Sequence, residues 1–308
     1  MGVRGGNQGL SYTHICPHAC VRIAEGGKFF HLKSSEFKSN NDFKYGTREK
    51  IKDFSSGSRS RLQRKIATIN EFDTGLPDFL TLTYPNEWST DWKVWKRDLH
   101  AFRKALVRRW SNVWGVWRLE FQEREAPHFH FLLWDGPQVE GMTVYSKKKK
   151  KNIIVPIPGK LSKHNQEIFE WLSSTWYRIV GSGDEKHLAA GTRIEPINSW
   201  NGVTFYASKY LAKLPSGKFA PVEFTGRFWG VIQGQKWKVS MFEKEVSVAE
   251  FMKIRRVLRK RHEKRFGWKK GRVKPGQNYY GMHAFIDSVQ ALKLLAWAWS
   301  EVQDQCPF

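Results

Sequence analysis

Two adjacent strands predicted over Trp114–Phe121 and His128–Trp134 constrain the fold of this chain more than any other segment. Because successive side chains of a strand point to opposite faces, His128 and His130 lie on one face and the apolar side chains between and after them lie on the other. The polar stretch Gln122–Pro127 predicts a hairpin loop between the two strands. The pattern therefore requires an antiparallel pair with one buried apolar face and one face that carries imidazoles.

Strands and amphipathic helices are interleaved along the rest of the chain. Phe79–Tyr84 predicts a strand that stops at Pro85, and Ser89 or Thr90 is expected to cap a helix that reaches Trp110 with an aromatic stripe on one side. Further helices are predicted over Ser60–Ile69, Asn165–Val180 and Gly202–Leu214, from Ser247 onward and over Ala284–Val302, and further strands over Arg193–Ile197, Gly226–Ile232 and Lys236–Phe242. This order favours an α+β fold with a largely antiparallel sheet.

The charge of the chain indicates the class of its partner. Its 308 residues contain 52 Lys and Arg against 29 Asp and Glu, which gives a formal net charge of +23 and a pI near 10.0. Such an excess is typical of a protein with a polyanionic ligand, and a generic basic surface is the alternative. With 15 Trp and 21 Phe, the chain is too apolar to be disordered.

Cysteine usage and hydropathy indicate a cytoplasmic protein. Cys16, Cys20 and Cys306 are too few for a disulfide framework, so a reducing compartment is expected. The first ten residues contain no apolar segment of a secretory signal. The apolar run Ala291–Trp299 is interrupted by a lysine and is too short to cross a bilayer.

The predicted hairpin also suggests a metal site. Glu120 lies eight residues before His128, and the turn can bring it across from His128 and His130. Two imidazoles and one carboxylate leave positions for water and a phosphate oxygen, a donor set that suits Mg²⁺ or Mn²⁺ and admits Zn²⁺. The alternative is that both histidines are exposed strand residues without a ligand.

A second motif lies in the predicted helix Gly202–Leu214. Tyr206, Lys209, Tyr210 and Lys213 are three, four and seven residues apart, so they share one helix face. Tyrosines at this spacing often belong to a core, but lysines on the same face argue against burial. A phenol can attack a polarised phosphodiester, and a lysine can stabilise the phenolate or the developing phosphorane charge.

Together these segments resemble the HUH endonuclease superfamily, in particular the two-tyrosine replication initiators of rolling-circle plasmids and small single-stranded DNA phages. The resemblance covers about residues 78–240 and rests on Phe79–Pro85, on Pro127–His130 with Glu120 as acidic third ligand, and on Gly202–Lys213. It implies a central antiparallel sheet, the palm of HUH and RRM-like folds, flanked by helices. The basic tract that follows Ser247 predicts, in addition, a basic helical C-terminal extension. The expected domains are a basic N-terminal arm (1–75), an endonuclease domain (76–245) and a basic helical region (246–308).

The resemblance implies a metal-dependent nickase of single-stranded origin DNA. Glu120, His128 and His130 would bind the metal, and Tyr206 or Tyr210 would attack the phosphate, giving a 5′-phosphotyrosine and a free 3′-hydroxyl. Lys209 and Lys213 would assist, and strands would later be rejoined. No lysine that follows a glycine is followed by Ser or Thr, so the chain has no nucleotide-binding P-loop. A host helicase and a DNA polymerase are therefore expected partners.

Two lysine- and arginine-rich segments are candidates for DNA contacts. Between Lys253 and Lys274 there are twelve Lys or Arg and one acid. The candidate DNA-binding residues are Lys147, Lys148 and Lys149 in a loop, and Arg255, Arg256, Arg259, Lys260 and Arg261 in the basic tract. Two other functions are compatible with the motifs: a two-tyrosine transposase, which a zinc site at Cys16 and Cys20 would favour, and a non-catalytic DNA-binding regulator.

Overall fold

The computed structural model describes residues 19–34, 51, 54–148, 150–203, 226–266 and 282–300. The described elements are β1 (Ala19–Ala24), β2 (Phe30–Ser34), α1 (Ser56–Ala67), β3 (Asp78–Thr83), α2 (Trp92–Arg109), β4 (Trp114–Phe121), β5 (Pro127–Trp134), β6 (Gly141–Ser146), β7 (Lys151–Pro156), α3 (Lys163–Val180), α4 (Glu185–Ala190), β8 (Thr192–Pro196), β9 (Trp229–Ile232), β10 (Met241–Val246), α5 (Val248–Phe266), β11 (Met282–Ala284) and α6 (Ser288–Trp299). The fold is α+β and its sheets are antiparallel, which confirms the predicted class.

The chain divides into two compact units. The central unit comprises residues 45–240, and the terminal unit comprises residues 1–44 together with 241–308. This division differs from the expected boundaries at 75/76 and 245/246. Residues 19–34 were expected to belong to an irregular arm, but β1 pairs with both β2 and β10. The basic C-terminal region accordingly contains strands as well as helices.

A five-stranded sheet in the order β8-β3-β5-β4-β9 forms the centre of the central unit. Its first face packs on α2 and α3: the rings of Phe131 and Phe102 are 5.7 Å apart, and those of Phe129 and Trp176 are 6.4 Å apart. Alternation places His128 and the other polar residues of β5 on the second face. The candidate metal site thus lies on the face of the sheet opposite α2 and α3.

Local signals in the sequence explain where several helices begin and end. Asp91, rather than Ser89 or Thr90, caps α2, and its side chain accepts a hydrogen bond from the backbone N–H of Lys93. α3 ends at Gly181, which adopts a left-handed φ of 65°. Ser247 and Glu250 form the predicted capping box of α5, since each side chain accepts a hydrogen bond from the other residue's backbone N–H.

In the terminal unit a four-stranded sheet has the order β10-β1-β2-β11. Val21, Phe30 and Leu32 are fully buried in its core, together with Phe251 of α5 and Leu294 of α6. The strand predicted over Lys236–Phe242 is not continuous, because residues 234–236 form a 3₁₀ turn and β10 begins only at Met241. None of the helices in the described ranges combines the length and hydropathy needed to span a membrane.

Candidate functional site

The second face of the central sheet brings the predicted ligand residues together. Glu120 lies directly opposite His128 in the β4–β5 pair, and Arg118 lies opposite His130. Directly paired residues of antiparallel strands share a face, so all four side chains project from the same side of the sheet. The hairpin turn therefore places Glu120 across from the histidines, as the sequence predicts.

A threonine on β3 holds each imidazole. Thr83 is paired with His128, and its Oγ1 lies 3.1 Å from Nδ1 of that ring. Thr81 is paired with His130, and its Oγ1 lies 3.2 Å from Nδ1. With Nδ1 engaged in both rings, Nε2 is the atom that each histidine offers to another partner. Hydrogen bonding at the second ring nitrogen is the usual way in which a metal-ligating histidine is oriented.

Glu120 connects His130 to a buried cation. Its Oε2 lies 3.2 Å from Nε2 of His130, and its Oε1 lies 2.7 Å from Nη1 of Arg118. The Arg118 side chain is 5% exposed, and its guanidinium lies 4.9 Å from the ring centroid of Phe54. Phe79 stacks on His130 at 5.2 Å. These contacts fix the position of the Glu120 carboxylate from two sides.

The local electrostatics favour a neutral imidazole beside an ionised carboxylate. Burial, together with the nearby His130, lowers the pKa of His128 to about 3, so this ring is uncharged at neutral pH. Burial alone would raise the pKa of Glu120, but the hydrogen bond from His130 and the charge of Arg118 outweigh it. The pKa of Glu120 is therefore lowered. Metal ligation requires these protonation states.

Two imidazoles and one carboxylate are donors that fit a divalent cation, but their side chains are not arranged for coordination as they stand. Within the described part of the chain, no group of three or more His, Cys, Asp or Glu side chains is placed to hold a metal ion. Glu120 Oε2 instead accepts from His130 Nε2. A cation bound at Nε2 would take the place of that proton, and His130 would then donate from Nδ1 to Thr81. The residues thus fit a metal if one hydrogen bond is exchanged for ligation.

The loops that flank the site are tied together. Arg124, in the β4–β5 turn, donates to the backbone oxygens of Tyr84 and Pro85, each at 2.6 Å. The backbone oxygen of Thr83 is bonded by Trp176 Nε1 at 2.8 Å and lies 2.8 Å from Nε2 of His187. The end of β3 is consequently held beside the turn that separates Glu120 from the histidines, a requirement for a preorganised site.

The predicted nucleophiles lie outside the described residues. This applies to Tyr206, Lys209, Tyr210 and Lys213. The chain is helical at residues 200–203, after Ser199, whose hydroxyl accepts from the backbone N–H of Gly202. Trp200 stacks on Trp134, the last residue of β5, with ring centroids 6.3 Å apart. Helical residues 200–203, which precede the predicted tyrosine motif in the sequence, thus lie against the strand that carries the histidines.

The candidate DNA-binding residues belong to two different units of the chain. Lys147 and Lys148 are exposed in the turn between β6 and β7, whereas Lys149 lies outside the described residues. On α5, four of the predicted cationic side chains line one groove together with Met252 and Glu263: Arg255, Arg256, Arg259 and Lys260. Arg261 instead lies 3.5 Å from Oε1 of Gln290 on α6.

Cys20, one of the possible zinc ligands, donates to Glu243 of β10.

Three residues at the site were missed by the sequence analysis: Thr81, Thr83 and Arg118. The alternation of Leu and Thr in Phe79–Tyr84 is a signal for the threonines, because it predicts two hydroxyls on one strand face. No local signal identifies the strand that Thr81 and Thr83 pair with. For Arg118, an arginine two residues before Glu120 in an otherwise apolar strand is the available signal, because a buried arginine requires a partner.

Comparison with known proteins identifies one related family. Residues 77–214 match the family model "Replication-associated protein ORF2/G2P". The matched segment contains β3, β4 and β5 with the histidine pair, and it extends through the predicted tyrosine motif. No curated protein and no solved structure matches the chain significantly. The match supports a replication-associated function for this part of the chain, with DNA as its partner.

Proposed function

We propose that the protein initiates rolling-circle DNA replication by nicking one strand of single-stranded origin DNA and later rejoining strands. The observation that carries the proposal is the set formed by Glu120, His128 and His130 on one sheet face, with both imidazoles held through Nδ1 by threonines. This set lies inside the segment that matches replication-associated proteins. Orientation by hydroxyls leaves two Nε2 atoms and one carboxylate directed at the same side of the sheet.

Mg²⁺ or Mn²⁺ is the proposed cofactor, held by Glu120, His128 and His130. When bound, such an ion polarises a phosphodiester oxygen and neutralises charge that develops in the transition state. The low pKa of His128 keeps its ring uncharged and available as a ligand at neutral pH. Arg118 restrains the Glu120 carboxylate through the 2.7 Å ion pair.

Tyr206 and Tyr210 are the proposed nucleophiles. The phenolate oxygen of one tyrosine forms a bond to phosphorus, and the bond from phosphorus to the 3′ oxygen breaks. The products are a 5′-phosphotyrosine and a 3′-hydroxyl, which primes a host polymerase on a template that a host helicase unwinds. Lys209 and Lys213 would stabilise the phenolate and the charged transition state. The other tyrosine would cleave the regenerated site, and the released 3′-hydroxyl would close the circle.

Randomised DNA allows this function to be tested without a defined origin sequence. Single strands with a randomised centre are incubated with the full-length protein and Mn²⁺, and covalent protein–DNA adducts are recovered under denaturing conditions. We expect adducts with the wild type, loss of adducts with a chelator, and at least about a hundredfold loss in a His128→Ala/His130→Ala variant. Tyr206→Phe and Tyr210→Phe should each retain cleavage, and the double variant should have none.

Tyr177→Phe provides a matched control, because this tyrosine lies on α3 and has no role in the proposal. DNA binding without any adduct, in every divalent metal tested, would overturn the nickase proposal and favour a non-catalytic regulator. Adducts that persist in the double tyrosine variant would assign the chemistry to another nucleophile.

A further inference from the structure

The two-stranded sheet formed by β6 and β7 is a separate ribbon attached to the central unit. Its six-residue strands pair from Gly141 opposite Pro156 to Ser146 opposite Lys151. No side chain of either strand is buried. Met142, Tyr145 and Ile154 are large apolar residues that remain 37%, 64% and 38% exposed. A ribbon of this kind has no core of its own, so its exposed apolar side chains gain no burial within it.

The base of the ribbon is firmly anchored. Asn165 at the start of α3 is fully buried, and its amide donates to the backbone oxygens of Glu140 and Ile157 at 2.9 and 2.8 Å while its Oδ1 accepts from the Glu140 N–H at 2.9 Å. Residues 140 and 157 immediately flank the two strands. Val139 is bonded in addition to the buried Asp78 carboxylate. The Asn165 side chain therefore ties both ends of the ribbon to α3 of the central unit.

The two faces of the ribbon differ in character. Thr143 is paired with Ile154 and Tyr145 with Asn152, so these four side chains share one face, and all four are exposed. On the other face, Val144, Ile153 and Val155 are half-buried, whereas Met142 and Lys151 are exposed. The exposed face thus combines an amide, two hydroxyls and an aliphatic side chain, which are the groups that contact base edges in the major groove of DNA.

The tip of the ribbon is a concentration of positive charge. Lys147, Lys148, Lys150 and Lys151 are exposed, and the segment 141–156 contains no acidic residue. Lys150 adopts a left-handed φ of 51°, a conformation that glycine or asparagine adopts more readily. Mutual repulsion of these charges opposes their clustering, and a polyanion bound at the tip relieves it.

We infer that the β6–β7 ribbon inserts into the major groove of duplex DNA, with the lysine tip on the phosphates and the exposed face on the base edges. A two-stranded ribbon matches the width of this groove. Asn152 can form paired hydrogen bonds with an adenine, and Ile154 can contact a thymine methyl group. Surfaces that bind single strands rely on aromatic stacking platforms, whereas Tyr145 is the ribbon's only aromatic residue. This inference goes beyond the proposed function, which concerns a single strand.

The experiment compares binding of duplex and single-stranded DNA of equal length and random sequence to full-length variants, by fluorescence anisotropy at several salt concentrations. The test variant is Lys147→Gln/Lys148→Gln/Lys150→Gln/Lys151→Gln. We expect its duplex affinity to fall at least about tenfold and the slope of log affinity against log salt to become shallower by about three to four. Its affinity for the single strand should stay within about twofold of the wild type.

In the matched control, four exposed lysines of the same unit that lie outside the ribbon are replaced by glutamine: Lys93, Lys104, Lys160 and Lys186. This variant has the same net charge as the test variant and should keep most of the duplex affinity. Thermal unfolding of both variants excludes loss of fold. Equal duplex affinity of the test and control variants would overturn the inference. A parallel loss of single-strand affinity in the test variant would also overturn it, because the tip would then bind any phosphate backbone.

Base contacts are tested by selecting preferred sites from randomised duplexes. The wild type should enrich a defined sequence. In Asn152→Ala/Ile154→Ala, the preference for particular base pairs at two positions of that sequence should fall about tenfold or more, whereas binding to the phosphate backbone should be retained. An unchanged preference would exclude the exposed face as the reading surface. Because duplex binding is measured without cleavage, absence of nicking would contradict the proposed function and leave this result intact.

Discussion

Thr83 lies directly opposite His128 in the β3–β5 pair, and its Oγ1 is 3.1 Å from Nδ1 of the imidazole. Thr81 holds His130 in the same way at 3.2 Å. The two hydroxyls come from β3, a segment for which the sequence predicts only a strand. They orient each ring so that Nε2 is the atom that it offers to another partner, and the geometry of the site therefore depends on β3 as well as on the hairpin.

Removing both hydroxyls should weaken metal binding without unfolding the sheet. Valine has the shape of threonine and suits a strand, so Thr81→Val/Thr83→Val leaves the fold intact but no longer orients the rings. We expect Mn²⁺ affinity and metal-dependent nicking to fall about 10- to 100-fold. Isothermal titration with Mn²⁺ measures the affinity directly. Thr81→Ser/Thr83→Ser keeps the hydroxyls and should bind like the wild type; wild-type affinity in the valine variant would show that the hydroxyls have no orienting role.

Asp78 should make the protein less stable as the pH rises. Burial raises the pKa of its carboxyl from 3.8 to about 7, although the backbone N–H of Val139 partly opposes this shift. Between these values the folded state binds more protons than the unfolded state, so the contribution of Asp78 to stability is greatest below about pH 4 and falls until about pH 7. The shift corresponds to at most about 4 kcal/mol.

Replacement of Asp78 by asparagine removes this titration and keeps an oxygen that can accept from Val139. We expect Asp78→Asn to be more stable than the wild type above about pH 7 and to lack its contribution to the fall in stability between about pH 4 and 7. Urea unfolding, followed by tryptophan fluorescence, measures the free energy of unfolding of both proteins at about pH 5 and about pH 8. Most of the titration of Asp78 lies between these two pH values. Parallel pH profiles for the two proteins would show that Asp78 titrates normally in the fold.

Gly115 allows β4 to pack closely against β5. A Cβ at this position would meet the backbone oxygen of Leu132 at 2.0 Å, and a backbone atom in the middle of a sheet cannot move away cheaply. Gly115→Ala should destabilise the protein by about 3 kcal/mol. Gly75→Ala is a matched control, because its Cβ would have no atom within 4 Å. Denaturant unfolding distinguishes the two, and equal stability of both variants would contradict this description of the β4–β5 contact.

Asn165 should determine how rigidly the β6–β7 ribbon is held. Replacing it by alanine removes three hydrogen bonds that its side chain makes to backbone groups of Glu140 and Ile157. We expect a loss of about 2–3 kcal/mol and faster amide hydrogen exchange at the ribbon base. Asn198→Ala, at an exposed position, is the control and should change neither quantity. Unaltered exchange at residues 139–157 would show that the ribbon is anchored by other contacts.

Local periodicity predicted the elements that carry the site. The alternation within β4 and β5 placed Glu120 across from the histidines, and the helix predicted over Asn165–Val180 ends at Val180 in the structure. Residues 19–34 were misread because β1 pairs with β10 more than 200 residues later, and such pairing leaves no local signal. The β6–β7 ribbon was not predicted for a different reason. The lysine run 147–151 indicated a loop, whereas Lys147, Lys148 and Lys150 lie in the turn between two paired strands.

Tyr206 and Tyr210 are the proposed nucleophiles, and the residue that becomes bonded to DNA can be identified directly. After reaction with single-stranded DNA and Mn²⁺, nuclease and protease digestion followed by mass spectrometry identifies the peptide that carries the nucleotide. We expect a 5′-phosphate linked to Tyr206 or Tyr210. When either tyrosine is replaced by phenylalanine, the nucleotide should be found on the remaining one. A nucleotide attached to any other residue, or no covalent product in the presence of metal, would contradict it.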